Sequence, residues 1–305
     1  MEMKRILLTG SNGLLGQKIV KLVQDEYADR YELLATSKGA NRIEKIKGFD
    51  FQSLDISDPK AVAELFDSYR PDYLINTAAM TNVDACEDDK EGCKMANIEA
   101  VKILGEACEK HNTFFLHLST DFIFDGEDGP YKEDDKPNPL SYYGWSKLEG
   151  EKVVESLSCP WAIARTIIVY GVAEQMSRSN IVLWAKSALE KGDPLTIVND
   201  QFRSPTLAED LAKGCMQIIE HDAQGVYHLS GKDFMSIIEL VKRVAKHFGL
   251  NDAQLSEISS SSLNQAAKRP PKTGFVLDKA MNDLGYDPHS FEEGLSIVDQ
   301  QIQQS

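Results

Sequence analysis

The run Ile6-Leu7-Leu8 passes without a break into Thr9-Gly10-Ser11-Asn12-Gly13-Leu14-Leu15-Gly16, and this passage limits what the chain can become. The apolar run reads as a buried strand, and Leu15, Ile19, Leu22 and Val23 then share one face of a helix over 14–27. The glycines between them have separate tasks. Gly10 permits the tight strand exit, Gly13 lets the backbone approach a pyrophosphate, and Gly16 lets the helix pack against the sheet. The helix N-terminus offers unpaired N–H groups and the positive end of its dipole to an anion. Strand, glycine turn and helix in this order predict a dinucleotide site lined by Gly10, Ser11, Asn12, Gly13, Leu14, Leu15 and Gly16.

The same alternation continues. Apolar strands are expected at 5–8, 32–35, 51–54, 73–76, 114–119 and 162–169, with amphipathic helices at 14–27, 59–69, 91–110 and 142–157. Continuous apolar strands separated by helices imply a parallel sheet covered on both faces, here an α/β, doubly wound Rossmann sheet over 1–170. Beyond 170 helices dominate, at 181–191, 208–220, 237–248 and 291–303, with short strands at 195–198 and 226–229 and a Ser-rich loop at 251–265. This smaller, mainly helical region, 171–305, is expected to pack on the C-terminal edge of the sheet as a substrate region, with some segments returning to the first domain.

A formal charge of -15 disfavours nucleic acid and anionic membranes. Phosphate-bearing ligands then need local help from backbone N–H groups or placed cations. The five cysteines have no C-x-x-C spacing and read as free thiols, and no apolar stretch approaches a membrane span. The N-terminus has no signal-peptide pattern, so a cytoplasmic location is expected.

Several strand ends carry candidate ligand contacts. Asp55, followed by Ile56, reads equally as reaching an adenine or as the N-cap of the next helix. Asn76, Ala78 and Ala79 leave room for a dinucleotide. The second strand ends without an acidic residue, and Ser37, Lys38 and Arg42 suit a ribose 2′-phosphate, favouring NADP(H) over NAD(H); otherwise the two cations are ordinary surface charges. Tyr143 and Lys147, four apart, share a helix face, where an ammonium is expected to lower the phenol toward working pH. Thr120, at the end of an apolar strand, is placed to bond a substrate carbonyl, with Ser119 as the competing hydroxyl. Tyr142 points elsewhere. The acidic residues at 125–128 and 133–135 read as a solvated loop with no metal site, and His117 as a satisfied core residue.

Gly10-x-x-Gly13-x-x-Gly16, Asp55, Asn76-x-Ala78-Ala79, Asn97, Thr120 and Tyr143-x-x-x-Lys147 together resemble the extended short-chain dehydrogenase/reductases. The segments 119–126, 138–144, Arg165-Thr166, 199–206 and Arg269-Pro270 are similar to the dTDP-4-dehydrorhamnose reductase family. The resemblance implies Thr120, Tyr143 and Lys147 as the catalytic set, with Tyr143 and Lys147 also on the cofactor. It implies reduction of the C4 ketone of a nucleotide-linked 6-deoxyhexose, with Thr120, Asp121, Ile168 and Arg203 toward the substrate. Asp121 is followed by Phe122, so the acidic pair of the related dehydratases is missing. Ile168 stands where the family often has tryptophan. Arg203 replaces a small residue and reads either as a partner for the diphosphate or as a surface charge; Lys268-Arg269-Pro270 reads as a packing corner. A sugar-nucleotide epimerase or epimerase/reductase is the alternative on the same scaffold. The resemblance also takes in the non-catalytic regulatory subunit of methionine adenosyltransferase. A homodimer through the helix at 91–110 is a further expectation.

Overall fold

The structure is a computed structural model and describes every residue except Met1, Glu2, Ser177, Asn264 and Ser305. The first residues of the N-terminal segment and one residue of the expected 251–265 loop therefore lie outside the described residues.

In chain order the first half comprises β1 (Lys4–Thr9), α1 (Leu14–Leu22, continued by a wider turn over Val23–Tyr27), β2 (Tyr31–Ser37), β3 (Asp50–Ser53), α2 (Pro59–Tyr69), β4 (Tyr73–Asn76), α3 (Val83–Asp88), α4 (Lys90–Lys94), α5 (Ala100–His111), β5 (Phe114–Thr120), α6 (Tyr142–Glu155) and β6 (Trp161–Thr166). The second half adds β7 (Val169–Tyr170), α7 (Ile181–Lys191), β8 (Leu195–Val198), β9 (Phe202–Arg203), β10 (Thr206–Leu207), α8 (Ala208–Glu220), β11 (Gly225–His228), β12 (Met235–Ser236), α9 (Ile237–His247), β13 (Leu255–Ile258), α10 (Asp278–Leu284) and α11 (Phe291–Gln303).

Seven strands form a parallel sheet in the order β11-β6-β5-β4-β1-β2-β3. The chain leaves β1 toward β2 and β3 on one side and toward β4, β5 and β6 on the other, so the crevice where the order reverses lies between β1 and β4. Ile6, Leu7, Leu8, Leu74, Ile75, Phe115 and Leu116 are wholly buried, because helices cover both faces. A separate apolar cluster gathers α7, α9 and α11 with β8, while α8 packs on α1 and β11 completes the sheet beside β6.

Two expected elements differ. The strand expected over 162–169 stops at Thr166, because Ile168 has φ +33°, and it resumes as the short β7. A β-branched residue adopts that conformation only when its surroundings hold it; here the Ile167 carbonyl accepts from the Thr206 hydroxyl (2.6 Å) and the Ile168 carbonyl from the Thr206 N–H (3.1 Å). The expected loop at 251–265 contains β13, which pairs in parallel with β8. Its polar residues carry no apolar run that would announce a strand, and the pairing comes from the partner.

Asp58, not Asp55, caps α2: its carboxylate accepts from the N–H groups of Lys60 (3.0 Å) and Ala61 (3.1 Å). Asp58→Ala is expected to cost about 1 kcal/mol of stability. A urea midpoint unchanged from the parent protein would contradict this capping role.

Candidate active site

The turn after β1 is built by close backbone approach. A Cβ on Gly16 would run into the Gly10 carbonyl oxygen and come within 2.6 Å of the Ser11 Cα; one on Gly10, at φ +75°, would lie 2.7 Å from the Ala78 N. No side chain fits at either place, and the N-terminus of α1 sits directly over the crevice. Ser11 is buried, and its Oγ has no hydrogen-bond partner in the protein.

Two cavities flank the turn. One, about 530 Å³, is lined by Gly10, Asn12, Gly13, Ser37, Lys38, Arg42, Asp55, Ile56, Ala78 and Ala79. Asp55 accepts from the Ser57 N–H (3.0 Å) and hydroxyl (2.6 Å) and pairs with Lys38 at 2.7 Å. Those contacts, Lys38 first, hold its carboxyl down at about 2. Asn76 lies beneath this wall, where its Oδ1 accepts from the Thr9 hydroxyl (2.6 Å) and the Ala78 N–H (3.3 Å).

The other cavity, about 770 Å³, runs from Gly13, Leu14, Leu15 and Gly16 to Thr120, Asp121, Tyr143, Lys147, Ile168 and Arg203. The two cavities together, the glycine approaches and the unpartnered Ser11 hydroxyl suit an elongated ligand with a diphosphate at its centre. Between them the two cavities are lined by every sequence candidate except Ser11 and Asn76, which sit behind the wall.

Helix α6 delivers Tyr143 and Lys147. Ser141 caps it, accepting from the Gly144 N–H at 3.2 Å. A Cβ on Gly150 would lie 2.6 Å from the Asn97 carbonyl, so the helix lies tight against the segment before α5. Asn97 locks this contact, donating to the Ser146 hydroxyl (3.0 Å) and the Met80 carbonyl (3.0 Å) and accepting from the Met80 N–H (2.9 Å). Tyr142 turns away and stacks obliquely on Trp145.

The charge states differ from the expectation. Burial pushes the Tyr143 phenol above its ordinary value, the Thr120 hydroxyl opposes this and Asp121 adds to it; Lys147 does not bring it down. The reason is that the Lys147 Nζ donates to the Leu118 carbonyl (2.6 Å) and lies 3.2 Å from His117 Nε2, and burial pushes the lysine itself down to about 8. The phenol is therefore held as a protonated acid.

Thr120 donates to Asp121 (3.1 Å) and accepts from the Phe122 N–H (3.3 Å), whereas the buried Ser119 Oγ has no protein partner. Arg203 overturns its surface-charge reading: its side chain is 3% exposed. It donates to the carbonyls of Phe202 (2.7 Å), Pro270 (2.6 Å) and Pro271 (3.1 Å) and lies 3.6 Å from Asp121. The other Asp121 oxygen accepts from Thr120, and Thr273 also donates to this carboxylate. Burial nevertheless raises the carboxyl. Arg269 ion-pairs with Asp84 at 2.6 Å, at the edge of the same cleft.

The sequence reading missed Arg178, Asn180, Gln201 and Arg269 as cleft residues. Gln201 and Arg269 fall within the family-like segments at 199–206 and 269–270, where nothing in the local sequence marks them as ligand contacts. Arg178 and Asn180 lie before α7 in an irregular segment with no periodicity to mark them. Among the described residues, no helix is long and apolar enough to cross a membrane, and no group of His, Cys, Asp and Glu could hold a metal ion.

The RmlD substrate binding domain model matches residues 3–303. The dTDP-4-dehydrorhamnose reductase of Aggregatibacter actinomycetemcomitans is 33% identical over 97% of this chain and 98% of its own length. Methionine adenosyltransferase 2 subunit beta of Danio rerio is 31% identical over 88% of this chain and 81% of its own. The crystal structure of the Bacillus anthracis dTDP-4-dehydrorhamnose reductase in complex with NADP has a TM-score of 0.86 at 26% identity, covering 98% of this chain and all (100%) of that one.

The Gly16→Ala substitution is expected to weaken dinucleotide binding about tenfold or more, because the methyl displaces the turn backbone. Fluorescence titration with NADPH would read this; unchanged affinity in a folded variant would remove the turn from the site.

Proposed function

This chain belongs to the RmlD substrate binding domain family, within the extended short-chain dehydrogenase/reductases, and is an NAD(P)-dependent oxidoreductase; we propose that it reduces the C4 ketone of dTDP-4-dehydrorhamnose to give dTDP-L-rhamnose. The observation that carries the reading is the buried Thr120–Tyr143 pair at the cleft end of β5, with the phenol held protonated.

NADP(H) is the favoured cofactor, with NAD(H) as the alternative. The bound nicotinamide supplies hydride to the ketone carbon. The turn at Gly10–Gly16 cradles the diphosphate, and Ser37, Lys38 and Arg42 face the adenosine end. Asp55, Ile56, Ala78 and Ala79 line the adenine side.

In this reading the Thr120 O–H turns from Asp121 to the substrate oxygen when the ketone binds, and Tyr143 gives its proton to the developing alkoxide. A phenol raised by burial still donates, because an alkoxide is far more basic. The Lys147 ammonium, lining the same cavity, is placed to hold the ribose of the bound cofactor. Asp121 does not serve as a second acid/base group in this reading, since it is buried and its Oδ2 is engaged by Thr273 and Arg203. That favours plain reduction over elimination or epimerisation. Ile168 packs on the sugar. Arg203 acts chiefly by holding Asp121 and the 270–271 carbonyls at the cleft wall.

The direct test is loss of NADPH absorbance with dTDP-4-dehydrorhamnose generated in situ, with NADH in parallel. Oxidation yielding a rhamnose nucleotide supports the proposal; binding of NADPH without turnover on any keto-sugar nucleotide favours the regulatory alternative. Tyr143→Phe is expected to lower kcat about 100-fold or more with NADPH affinity retained. Replacing Lys38 and Arg42 together by alanine is expected to lower NADPH affinity relative to NADH about tenfold. Equal losses for both cofactors would assign the two cations another role.

A further inference from the structure

Lys147 ends a buried chain of three side chains that the catalytic reading leaves unexplained. Its Nζ lies 3.2 Å from His117 Nε2, and His117 Nδ1 lies 3.1 Å from Asn76 Nδ2. All three residues are at most 3% exposed. His117 and Asn76 are register partners on β5 and β4, which fixes the ring against the amide.

The amide cannot be turned round without loss. Its Oδ1 accepts from the Ala78 N–H at 3.3 Å, and reversing it would set an NH2 group against that N–H. The NH2 group therefore faces the ring. Nδ1 must accept from it, and the single proton of a neutral imidazole then sits on Nε2, aimed at Lys147. An Nε2–H finds a partner in the lone pair of an amine and is opposed by the N–H of an ammonium.

We propose that His117, keyed by Asn76, is a positioning residue that biases Lys147 toward its neutral amine. Burial acts in the same direction, lowering both Lys147 and His117, so the ring stays neutral. Other groups facing Lys147 act against it: Glu151 on its own helix, with Arg165 of β6 on that carboxylate at 2.8 Å, and Cys93 of α4. Tyr143 and Asp121 line the same cavity as Lys147. The consequence rests on the reading of Lys147 as the catalytic ammonium: the site would lose that charge close to working pH.

The test begins with the unliganded, unsubstituted protein labelled with 15N-histidine. Above about pH 9, where Lys147 is an amine, His117 is expected as the Nε2–H tautomer. The Nδ1–H tautomer there would overturn the proposal, and this measurement needs no variant to fold. The second readout is the 13Cε titration of Lys147. In His117→Leu its midpoint is expected to rise by about one unit, a tenfold change in proton affinity. A midpoint that stays or falls in the folded variant would overturn the proposal, because a ring that accepted from the ammonium would be lost with the opposite sign. The alkaline limb of kcat/KM for ketone reduction is expected to move up with the midpoint. A midpoint that rises while that limb stays fixed supports the bias on Lys147 and instead refutes the catalytic role of its ammonium.

Discussion

The approach of Gly16 to the Gly10 carbonyl, and of Gly10 to the Ala78 backbone, is the constraint on which the rest of the site depends. These contacts bring the start of α1 down onto the C-terminal ends of β1 and β4, where the sheet order reverses. A methyl group at either glycine would lift the helix and open the crevice. The same contact fixes the Ala78 N–H, which orients the Asn76 amide; the amide faces His117 Nδ1, and the other ring nitrogen lies against Lys147. Backbone packing at the cofactor turn and proton handling at α6 thus share one continuous set of buried groups.

Burial, more than pairing, governs the electrostatics at the reacting end. A phenol and an ammonium four apart on a helix suggest mutual stabilisation in water. Taken out of water, each favours its neutral form, and the lysine spends its strongest hydrogen bond on the Leu118 carbonyl. An acid that stays protonated suits the reductive direction, since the proton is needed only when the alkoxide forms. The cost of this arrangement is sensitivity to whatever sets the lysine's charge.

The sequence made the sheet, the turn and the helix face legible because each follows from short-range rules. Apolar runs marked β1, β4 and β5; glycine spacing marked the turn; the interval from Tyr143 to Lys147 marked one face of α6. What stayed hidden depends on neighbours distant in sequence. Arg203 looks like a surface cation until the carbonyls of Pro270 and Pro271 and the carboxylate of Asp121 surround it. Ile168 gives no local sign of its left-handed backbone, which Thr206 holds from β10. The polar β13 exists because β8 offers it an edge. Asp58 directly precedes Pro59, the first residue of the expected helix, so the cap at Asp58 was legible, whereas the pairing of Asp55 with Lys38 was not.

Asp121 illustrates how one scaffold can be restricted to simpler chemistry. A carboxylate beside Thr120 at the end of β5 is well placed to move a proton, and it would need a free oxygen and an exchange path to do so. Here Thr120 occupies one oxygen, Thr273 and Arg203 stand at the other, and the residue is almost wholly buried. The neighbouring position, Phe122, sets its ring edge-on to Tyr143 and brings no acid. The carboxylate is thereby used to tie the segment at 270–273 to the end of β5, closing the cleft wall. Asp121 thus acts as a structural clasp, and the phenol of Tyr143 stays protonated near it.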